Sequence, residues 1–367
     1  MKRLHGQPDT STAAPATVTS VARHAGVSVG TVSRVLNNHP RVSAAARQAV
    51  ERAIRELDYR PDPVARSLRR RGANGRVWTG NIGVFFPNTT HAMLQVPFMS
   101  RMVQGVQSEL ADNGYHLIIS NTTDSSALPD VVRDRKVEGL LVHGDLGLDL
   151  CSRLTAALPA VSMGQHATGL PIAMVNVDNR AAVVTAATRL FALGHRRIGF
   201  VARDPEHRDF AERRDGYRQA VQLLDLRYDP ALEAVGGASD LSGPRTPQTE
   251  PPDMSEPLAR LLDLPDPPTA LIVPSDWQAI GVYRALAARR RRIPDDLCVI
   301  GFDNDPGVCH SLTPALSSIN YPSEQIGRQA VRLLLNQIRE GSAMHRQTIL
   351  IKSELIERAS IAPVKRS

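Results

Sequence analysis

The sequence predicts an α/β chain in which a small N-terminal three-helix domain and a short hinge helix precede two lobes, each built on a doubly wound parallel sheet. Three observations carry this prediction. Positive charge is concentrated at the start: the first 72 residues hold 13 Lys/Arg and 5 Asp/Glu, whereas the whole 367-residue chain carries a net charge of +7. Short apolar segments of helical period lie within this basic part, separated by a glycine. From residue 79 onward, strand-like runs alternate with helix-like runs.

Composition and spacing divide the chain into four predicted segments. Residues 1–16 are rich in Pro, Ala, Thr and Ser and are predicted to form a disordered arm. Residues 17–60 form the helical domain, residues 61–78 the hinge helix and linker, and residues 79–367 the two lobes. A basic head joined to a nearly neutral body indicates a polyanionic partner, with nucleic acid first.

Several classes of protein do not fit the sequence. No apolar run reaches the length of a membrane span, and the first residues lack the apolar stretch of a signal peptide. Cys151, Cys298 and Cys309 are scattered without a zinc-binding spacing, which indicates buried, reduced thiols. We therefore expect a cytoplasmic, nucleoid-associated protein that needs no metal or cofactor and has no membrane partner.

The first two helices are predicted to be short and joined tightly. Thr19 or Ser20 is expected to cap the first helix, and Gly26 permits a sharp turn after it. Ser28 is expected to cap a second helix that extends over residues 29–37. The inward face of this second helix is apolar, with Val32, Val35 and Leu36.

A third helix is predicted to open at Ser43, with an apolar face of Ala46, Val50, Ile54 and Leu57. Two short helices joined by a glycine turn and backed by a third describe a helix-turn-helix, whose second helix lies in the major groove of DNA. Its outer face carries short polar groups around one cation: Ser28, Val29, Gly30, Ser33, Arg34 and Asn37. A helical subdomain without a ligand is the alternative, although glycine and β-branched residues form helices poorly.

The segment VTSVARHAGVSVGTVSRVLNN resembles the helix-turn-helix of the lactose-repressor (LacI) family of bacterial transcription regulators. The segment LDYRPDPVARSLRR is similar to the hinge segment of that family. The resemblance implies that residues 64–69 form a hinge helix that orders on DNA, with Leu68 wedged into the minor groove at the operator centre. The DNA-contacting residues that we predict are Thr17, Thr19, Ser28, Val29, Gly30, Thr31, Ser33, Arg34, Asn37, Arg41, Ser43, Tyr59, Ala65 and Leu68.

Two departures from the family pattern concern DNA recognition. Val29 and Gly30 occupy the two positions from which relatives recognise bases. Gly30 has no side chain, and Val29 offers only apolar contact, for instance to a thymine methyl group. Asp62 stands where the family usually has Asn, so one position facing a phosphate is acidic.

The body is predicted from strand and helix signals that follow one another along the chain. The first lobe is expected to contain the strands TGNIGVFFPN, YHLIIS, VEGLLVHG, PAVSMG and IAMVNVD, with a helix through Met99, Val103, Val106 and Leu110 that ends at Gly114. The second is expected to contain a helix and strand in NRAAVVTAATRLFALGHRRIGFVA, a helix around residues 216–224, the strands TALIVPS and LCVIGFD, and the helix DWQAIGVYRALAARR. This alternation predicts parallel sheets with right-handed crossovers and a cleft at the carboxyl ends of the strands.

Two segments of the body break the regular alternation. In TTDSSALPDVVRDRKVEG, Pro129 is expected to interrupt a helix that is already short. The Pro/Gly-rich residues 236–257 are expected to form a mobile loop near the ligand site.

The body resembles the periplasmic-binding-protein-like core of the same family in LGHRRIGFV, RRDGYRQA, PTALIVPSDWQAIG and IPDDLCVIGFDN. The resemblance implies that Arg213 holds ligand hydroxyl or carboxylate groups and that Asp303 accepts hydrogen bonds from ligand hydroxyls. The implied effector contacts are Phe98, Gln165, Arg213, Ser275 and Asp303. A surface ion pair, a turn and core packing are the alternatives for Arg213, Asp303 and Phe98, respectively. Asp276 is expected to be a helix cap rather than a ligand contact.

The leading hypothesis is a homodimeric DNA-binding repressor that a sugar or related polyol releases from double-stranded operator DNA. A corepressor-type regulator of the same family and a ligand-binding transport protein are the alternatives. An enzyme is not expected, because the sequence contains neither a P-loop nor a GxSxG elbow, and no GxGxxG follows the first strand. His195 and Asp178 are not interpreted as a catalytic pair, since LGH is better explained as a helix stop.

Overall fold

The computed structural model describes residues 16–36, 39–59, 79–90, 94–124, 126–144, 146–164, 169–204, 207–237, 250–340 and 347–364. The chain divides into two compact units between Thr79 and Gly80, and each is described by itself. No helix in these ranges is both long enough and apolar enough to cross a membrane.

The basic unit contains three helices, α1 (Val18–Ala25), α2 (Val29–Leu36) and α3 (Ala44–Glu56). Their buried faces meet in one apolar core, formed by Val21, Ala22, Val32, Val35, Val50 and Ala53. Ala46, Ile54 and Leu57, predicted to face inward, are half-buried at its edge. Residue 37, the predicted end of the second helix, and the predicted hinge helix lie outside the described residues.

Caps and a glycine turn set the limits of these helices. Gly26 ends α1 in the left-handed region at φ +66°, as predicted. The predicted cap at Ser28 and the predicted start of the third helix at Ser43 are confirmed, since the hydroxyls of these serines accept from the backbone N–H groups of Thr31 and Ala46 at 3.1 and 3.3 Å. The predicted cap of α1 was wrong. Thr17 caps this helix, because its hydroxyl and that of Ser20 accept from each other's backbone N–H groups, at 3.2 and 2.8 Å.

The first lobe of the body is a six-stranded parallel sheet in the order β11-β5-β4-β3-β1-β2. Its strands are β1 (Asn81–Phe86), β2 (His116–Asn121), β3 (Gly139–Val142), β4 (Ala160–Met163), β5 (Ala173–Val177) and β11 (Thr348–Ile351). The helices between the first five are α4 (Pro97–Asp112), α5 (Asp130–Arg133) and α6 (Leu148–Ala157). The five predicted strands and the predicted helix ending near Gly114 are confirmed.

The second lobe is a six-stranded sheet in the order β12-β10-β9-β8-β6-β7, with β12 antiparallel to β10. Its strands are β6 (Ile198–Arg203), β7 (Glu233–Gly236), β8 (Ala270–Ile272), β9 (Cys298–Asp303), β10 (Ser317–Asn320) and β12 (Leu355–Ile356). Its helices are α7 (Asn179–Ala192), α8 (Arg208–Leu223), α9 (Ser255–Leu262), α10 (Asp276–Ala288) and α11 (Pro306–Cys309), and residues Pro230–Leu232 form a 3₁₀ turn.

The chain passes between the lobes three times. It enters the second lobe after β5, and after β10 it returns as α12 (Ser323–Glu340), which packs on α4 and on the first sheet. After β11 it crosses again to β12. Both lobes therefore depend on the C-terminal part of the chain.

Two predictions about irregular segments need correction. Pro129 does not interrupt a helix, since α5 begins immediately after it, where a proline costs no intrahelical hydrogen bond. The loop predicted for residues 236–257 is too long, because α9 begins at Ser255 with Pro257 in its first turn, where backbone N–H groups have no intrahelical partner. Residues 238–249 lie outside the described ranges.

The contact between α4 and α12 depends on two glycines. A Cβ atom on Gly105 would overlap the carbonyl oxygen of Glu324, and one on Gly327 would overlap that of Met102. Beside this crossing, Arg332 donates two hydrogen bonds to the carboxylate of Glu109, at 2.8 and 3.0 Å. α4 and α12 therefore pack closely, and an ion pair between their side chains connects them.

Replacing Gly327 with Ala should destabilise the body, because the added methyl group overlaps a backbone atom that cannot move independently of its helix. We expect the free energy of unfolding to fall by about 1–3 kcal/mol, despite the better helix propensity of Ala. Urea denaturation measures this loss. Gly147→Ala is the matched control, since a Cβ at that position meets no atom within 4 Å. Equal stability of the two variants would contradict the proposed close contact.

Candidate functional site

The outer face of α2 presents a small set of side chains to solvent. Val29 is 40% exposed, and Gly30 and Arg34 are exposed beside it. The guanidinium of Arg34 has no hydrogen bond or ion pair with any other described residue. Ser28 and Thr31 are joined through their hydroxyls at 3.0 Å, so these two groups hold the start of the helix while remaining at its surface. Ser33 is half-buried. The face is suited to contact with a polar surface that carries negative charge.

The other predicted DNA contacts are scattered around this face. Thr17 and Ser43 cap helices, Thr19 and Arg41 are exposed, and Tyr59 is half-buried against the core.

The predicted contacts Asn37, Ala65 and Leu68 lie outside the described residues, as does Asp62. Their roles remain predictions.

Sequence reasoning missed a side-chain hydrogen bond that joins two helices of this unit. The His24 ring Nε2 lies 2.6 Å from the carboxylate of Glu56, and the pair joins α1 to α3. Both residues are polar, so the apolar periodicity from which the three helices were predicted gave no signal for this contact.

A second group of polar residues lies in the second lobe, at the carboxyl end of β9. Arg213 of α8 is only 3% exposed, which excludes the surface ion pair that was the alternative for this residue. Its Nε donates to the side-chain oxygen of Asn179 at 2.8 Å, and its Nη1 donates to the carbonyl of Pro274. The Nη1 also lies 3.7 Å from the Asp303 carboxylate, and the guanidinium carbon stacks over the Phe302 ring at 3.4 Å.

A buried network surrounds the arginine and joins the lobes. The amide nitrogen of Asn179 donates to the carboxylates of Asp209 and Glu212, each at 3.1 Å. Asn176, on β5 of the first lobe, donates to the same Asp209 oxygen at 3.4 Å. None of the four was predicted as a site residue. The signal available in the sequence was Asn176 itself, an amide in the otherwise apolar run IAMV-N-V.

Asp303 occupies a strained turn. Its φ is +114°, and the next residue, Asn304, also has a positive φ. The prediction that Asp276 is a helix cap was wrong, because the Ser275 hydroxyl performs that role by accepting from Gln278 N at 3.1 Å. Asp276 instead accepts hydrogen bonds from the Ser318 hydroxyl at 2.6 Å and from Asp305 N at 2.8 Å. It therefore holds the turn that presents Asp303.

Burial dominates the electrostatics of these two carboxyls. Desolvation raises the pKa of Asp276 to about 6, although its hydrogen bonds to Ser318 and Asp305 oppose the shift. Desolvation raises the pKa of Asp303 to about 8, and the neighbouring carboxylates add to the effect while Arg213 opposes it. Burial thus disfavours the charged form of both carboxyls, although the cation Arg213 lies beside Asp303.

Aromatic side chains lie on the first-lobe side of the polar residues around Arg213. Phe98 is half-buried and packs edge-to-face against His143 and Tyr321, with centroids 6.0 and 5.9 Å apart. The Tyr321 hydroxyl donates to the carbonyl of Gly164 at 3.1 Å, and its backbone N–H donates to the carbonyl of Asp303 at 3.3 Å. Tyr321, which sequence reasoning missed, thus connects Asp303 to the first lobe. Gln165 lies outside the described residues.

Other reactive groups have structural roles. His195 is buried, with its ring nitrogens 2.9 Å from the Thr269 hydroxyl and 3.0 Å from the carbonyl of Ala362, and Asp178 caps α7. Gly194 ends the helix region at φ +95°, which confirms that LGH is a helix stop. The three cysteines are free and buried. Within the described ranges, no cluster of His, Cys, Asp or Glu has the arrangement of a metal site.

The chain is similar to bacterial regulatory proteins along most of its length. Residues 17–62 match the family model described as bacterial regulatory proteins, lacI family. Residues 79–236 match periplasmic binding proteins and sugar binding domain of LacI family, and residues 187–361 match a periplasmic binding protein-like domain.

Individual relatives span both compact units. The HTH-type transcriptional repressor CytR of Escherichia coli (strain K12) is 32% identical over 351 residues, which cover 94% of this chain and 96% of that protein. A structure of the transcriptional regulator CelR in complex with cellobiose is 28% identical, with a TM-score of 0.63 and coverage of 94% of this chain and 99% of that chain. The lac repressor dimer bound to operator and the anti-inducer ONPF is 26% identical, with a TM-score of 0.72 and coverage of 95% and 99%.

Asp303→Asn should make the protein more stable at pH 8 than the wild type. The folded state raises the pKa of this carboxyl from 3.8 to about 8, so the unfolded chain loses the proton first as the pH rises. Stability therefore falls between about pH 4 and pH 8 in the wild type, whereas Asn has no proton to lose and tolerates a positive φ. We expect a gain of about 1–3 kcal/mol at pH 8 that shrinks toward pH 4.

Urea denaturation across this pH range measures the effect. Asp112→Asn, which changes an exposed carboxyl at the end of α4, is the control and should show no comparable gain. A gain for Asp303→Asn that does not depend on pH would contradict the titration argument.

Proposed function

This chain belongs to the lacI family of bacterial regulatory proteins and is a DNA-binding transcriptional regulator, and we propose that it is a homodimeric repressor that a sugar-like effector releases from its operator. The proposal of an effector rests on the buried Arg213, which lies beside Asp303 at the carboxyl end of β9. Ligands of open α/β sheets bind at that end of the strands. The alternative of a transport protein is not proposed, because residues 17–62 match the lacI family.

The proposed DNA contact uses the exposed face of α2 in the major groove. Arg34 supplies a cation for a base edge or a phosphate, and the polar surface around it supplies short donors. A single helix-turn-helix contacts only a few base pairs. We therefore propose two copies on a pseudo-palindromic site, in the manner of the lac repressor dimer bound to its operator.

The proposed effector is a sugar or a related polyol. CelR is a relative whose structure contains cellobiose, and another relative, 29% identical, is the ribose operon repressor of Escherichia coli (strain K12). A guanidinium and a carboxylate close together suit neighbouring hydroxyl groups, which both donate and accept hydrogen bonds. Phe98, Ser275 and Gln165 are proposed as further contacts from the resemblance.

The proposal is tested by selecting an operator from random duplexes and then titrating sugars against the bound complex. We expect two symmetric half-sites occupied by two copies, and a sugar that weakens operator binding roughly 5- to 150-fold, the range of typical coupling energies of about 1–3 kcal/mol. By reciprocity, the operator complex should bind that sugar more weakly by the same factor. Fluorescence anisotropy and calorimetry measure the two affinities.

Each part of the proposal has its own contradicting result. A single unpaired half-site would contradict the homodimer. A sugar that tightens operator binding would make the protein a corepressor-type regulator. Unchanged sugar affinity in Asp303→Ala would remove the proposed effector site, whatever the sign of the coupling.

Val29 should contact a thymine methyl group in each half-site. Replacing that thymine with uracil removes only the methyl group, so we expect wild-type affinity to fall about two- to fivefold, in line with about 0.8 kcal/mol per buried methylene-sized group. Val29→Ala should bind thymine and uracil operators almost equally. Uracil placed outside the half-sites is the control. An undiminished thymine preference in Val29→Ala would assign the methyl contact to another residue.

A further inference from the structure

We infer that His39 is a positioning residue for DNA binding, and that its ring nitrogen Nδ1 holds the backbone of Arg41 in place for contact with the duplex. This inference rests on the proposed function and on the predicted DNA contact of Arg41. His39 was not predicted as a site residue. It begins the segment HPRVS, which lies between α2, proposed to enter the major groove, and α3.

The backbone of His39 is connected to both neighbouring helices. Its N–H donates to the carbonyl of Arg34, in the last turn of α2, at 2.9 Å. Its own carbonyl accepts from Nη2 of Arg47, on α3, at 3.3 Å. Neither hydrogen bond uses an atom of the imidazole, so a replacement of the side chain leaves both in place. His39 therefore has a defined position between the two helices that does not depend on its ring.

The ring adds a third hydrogen bond, which reaches Arg41. The backbone N–H of Arg41 donates to Nδ1 of His39 at 3.2 Å. Pro40, between them, has no N–H and a fixed φ, and it restricts the residue before it to extended conformations. The N–H of Arg41 is therefore the first backbone donor after His39. The imidazole accepts from it as an Asn or Asp side chain accepts from the second residue onward in a turn.

The side chain of Arg41 depends on this turn for its position. It is exposed, and its guanidinium has no hydrogen bond or ion pair with any other residue in the described part of the chain. A backbone that is mobile in the free protein must be ordered when the complex forms, and this ordering opposes binding. The hydrogen bond to Nδ1 orders the backbone of Arg41 before DNA is met, so it favours the complex without contacting the duplex.

The charge around the turn suits a phosphate backbone. Residues 17–50 contain four arginines and neither Asp nor Glu. Three of these arginines, Arg34, Arg41 and Arg47, are hydrogen-bonded to His39. His39 offers them a ring nitrogen and backbone groups but no carboxylate, so it connects three cationic residues without neutralising any of them. Their charge stays available for attraction to DNA.

The test compares His39→Leu with His39→Asn in the full-length protein. Leu places a methyl group where Nδ1 stands, whereas the side-chain oxygen of Asn occupies the equivalent position and can accept from Arg41. Fluorescence anisotropy measures affinity for the operator selected from random duplexes. We expect His39→Leu to weaken operator binding about three- to tenfold, the range that one lost hydrogen bond typically causes, and His39→Asn to remain within about twofold of the wild type.

A double-mutant cycle separates positioning of Arg41 from a general structural role. Arg41→Ala removes the guanidinium but keeps the backbone N–H and its hydrogen bond to His39. In that background His39→Leu should cause almost no further loss, because the turn no longer carries a side chain that contacts DNA. Gln48→Leu, which introduces a leucine at an exposed, uncharged position of α3, is the matched control and should leave operator affinity unchanged.

Three results would overturn the inference while the proposed function stands. Wild-type affinity in His39→Leu would show that the Nδ1 hydrogen bond does not affect binding. Equal losses in His39→Asn and His39→Leu would assign the effect to another part of the ring. A full additional loss from His39→Leu in the Arg41→Ala background would show that His39 acts independently of Arg41. Failure of the wild type to select any duplex would contradict the proposed function itself and remove the premise of the inference.

Discussion

The buried guanidinium of Arg213 is the constraint on which the arrangement at the carboxyl ends of the second-lobe strands depends. A charged group with 3% exposure is stable only when its hydrogen bonds and its charge are compensated. Oxygens of Asn179 and Pro274 accept its hydrogen bonds and the Asp303 carboxyl lies 3.7 Å away, so its partners come from three separate elements, α7, the segment after β8, and β9. Because these elements must converge on one side chain, the carboxyl ends of the second-lobe strands are held in a defined arrangement.

The same region contains two features that lower the stability of the folded chain. Asp303 has a positive φ and a raised pKa, and Asp276 is buried beneath it with a carboxyl whose pKa is also raised. Both features are costly in the absence of a ligand, because strain and desolvation disfavour the folded state. Strained backbone and perturbed pKa values of this kind are typical of functional sites.

Connections between the lobes explain how occupancy of this region can affect the whole body. Tyr321 donates its backbone N–H to Asp303 and its hydroxyl to Gly164, and Asn176 reaches from the first lobe to Asp209. These hydrogen bonds connect Asp303 and Asp209 of the second lobe directly to first-lobe groups. The first lobe also depends on α12, which packs closely on α4 although it follows β10 of the second lobe in the chain.

The sequence by itself determined the family, the fold class, the helix-turn-helix and most elements of both lobes, because these follow from patterns that span a few residues. Ser28, Gly26 and Ser43 act within one helical turn, and Arg213 and Asp303 were identified by motif matches. The cap at Thr17 was missed because several neighbouring hydroxyls fit the same local pattern. Only the tertiary structure decided that Ser275 rather than Asp276 caps α10 and that Arg213 is buried. It also decided that Asp209 and Asn176 are connected to Arg213 through Asn179, and Tyr321 through Asp303. These partners are far apart in the sequence, and periodicity cannot specify which distant polar groups meet when the sheets close around them.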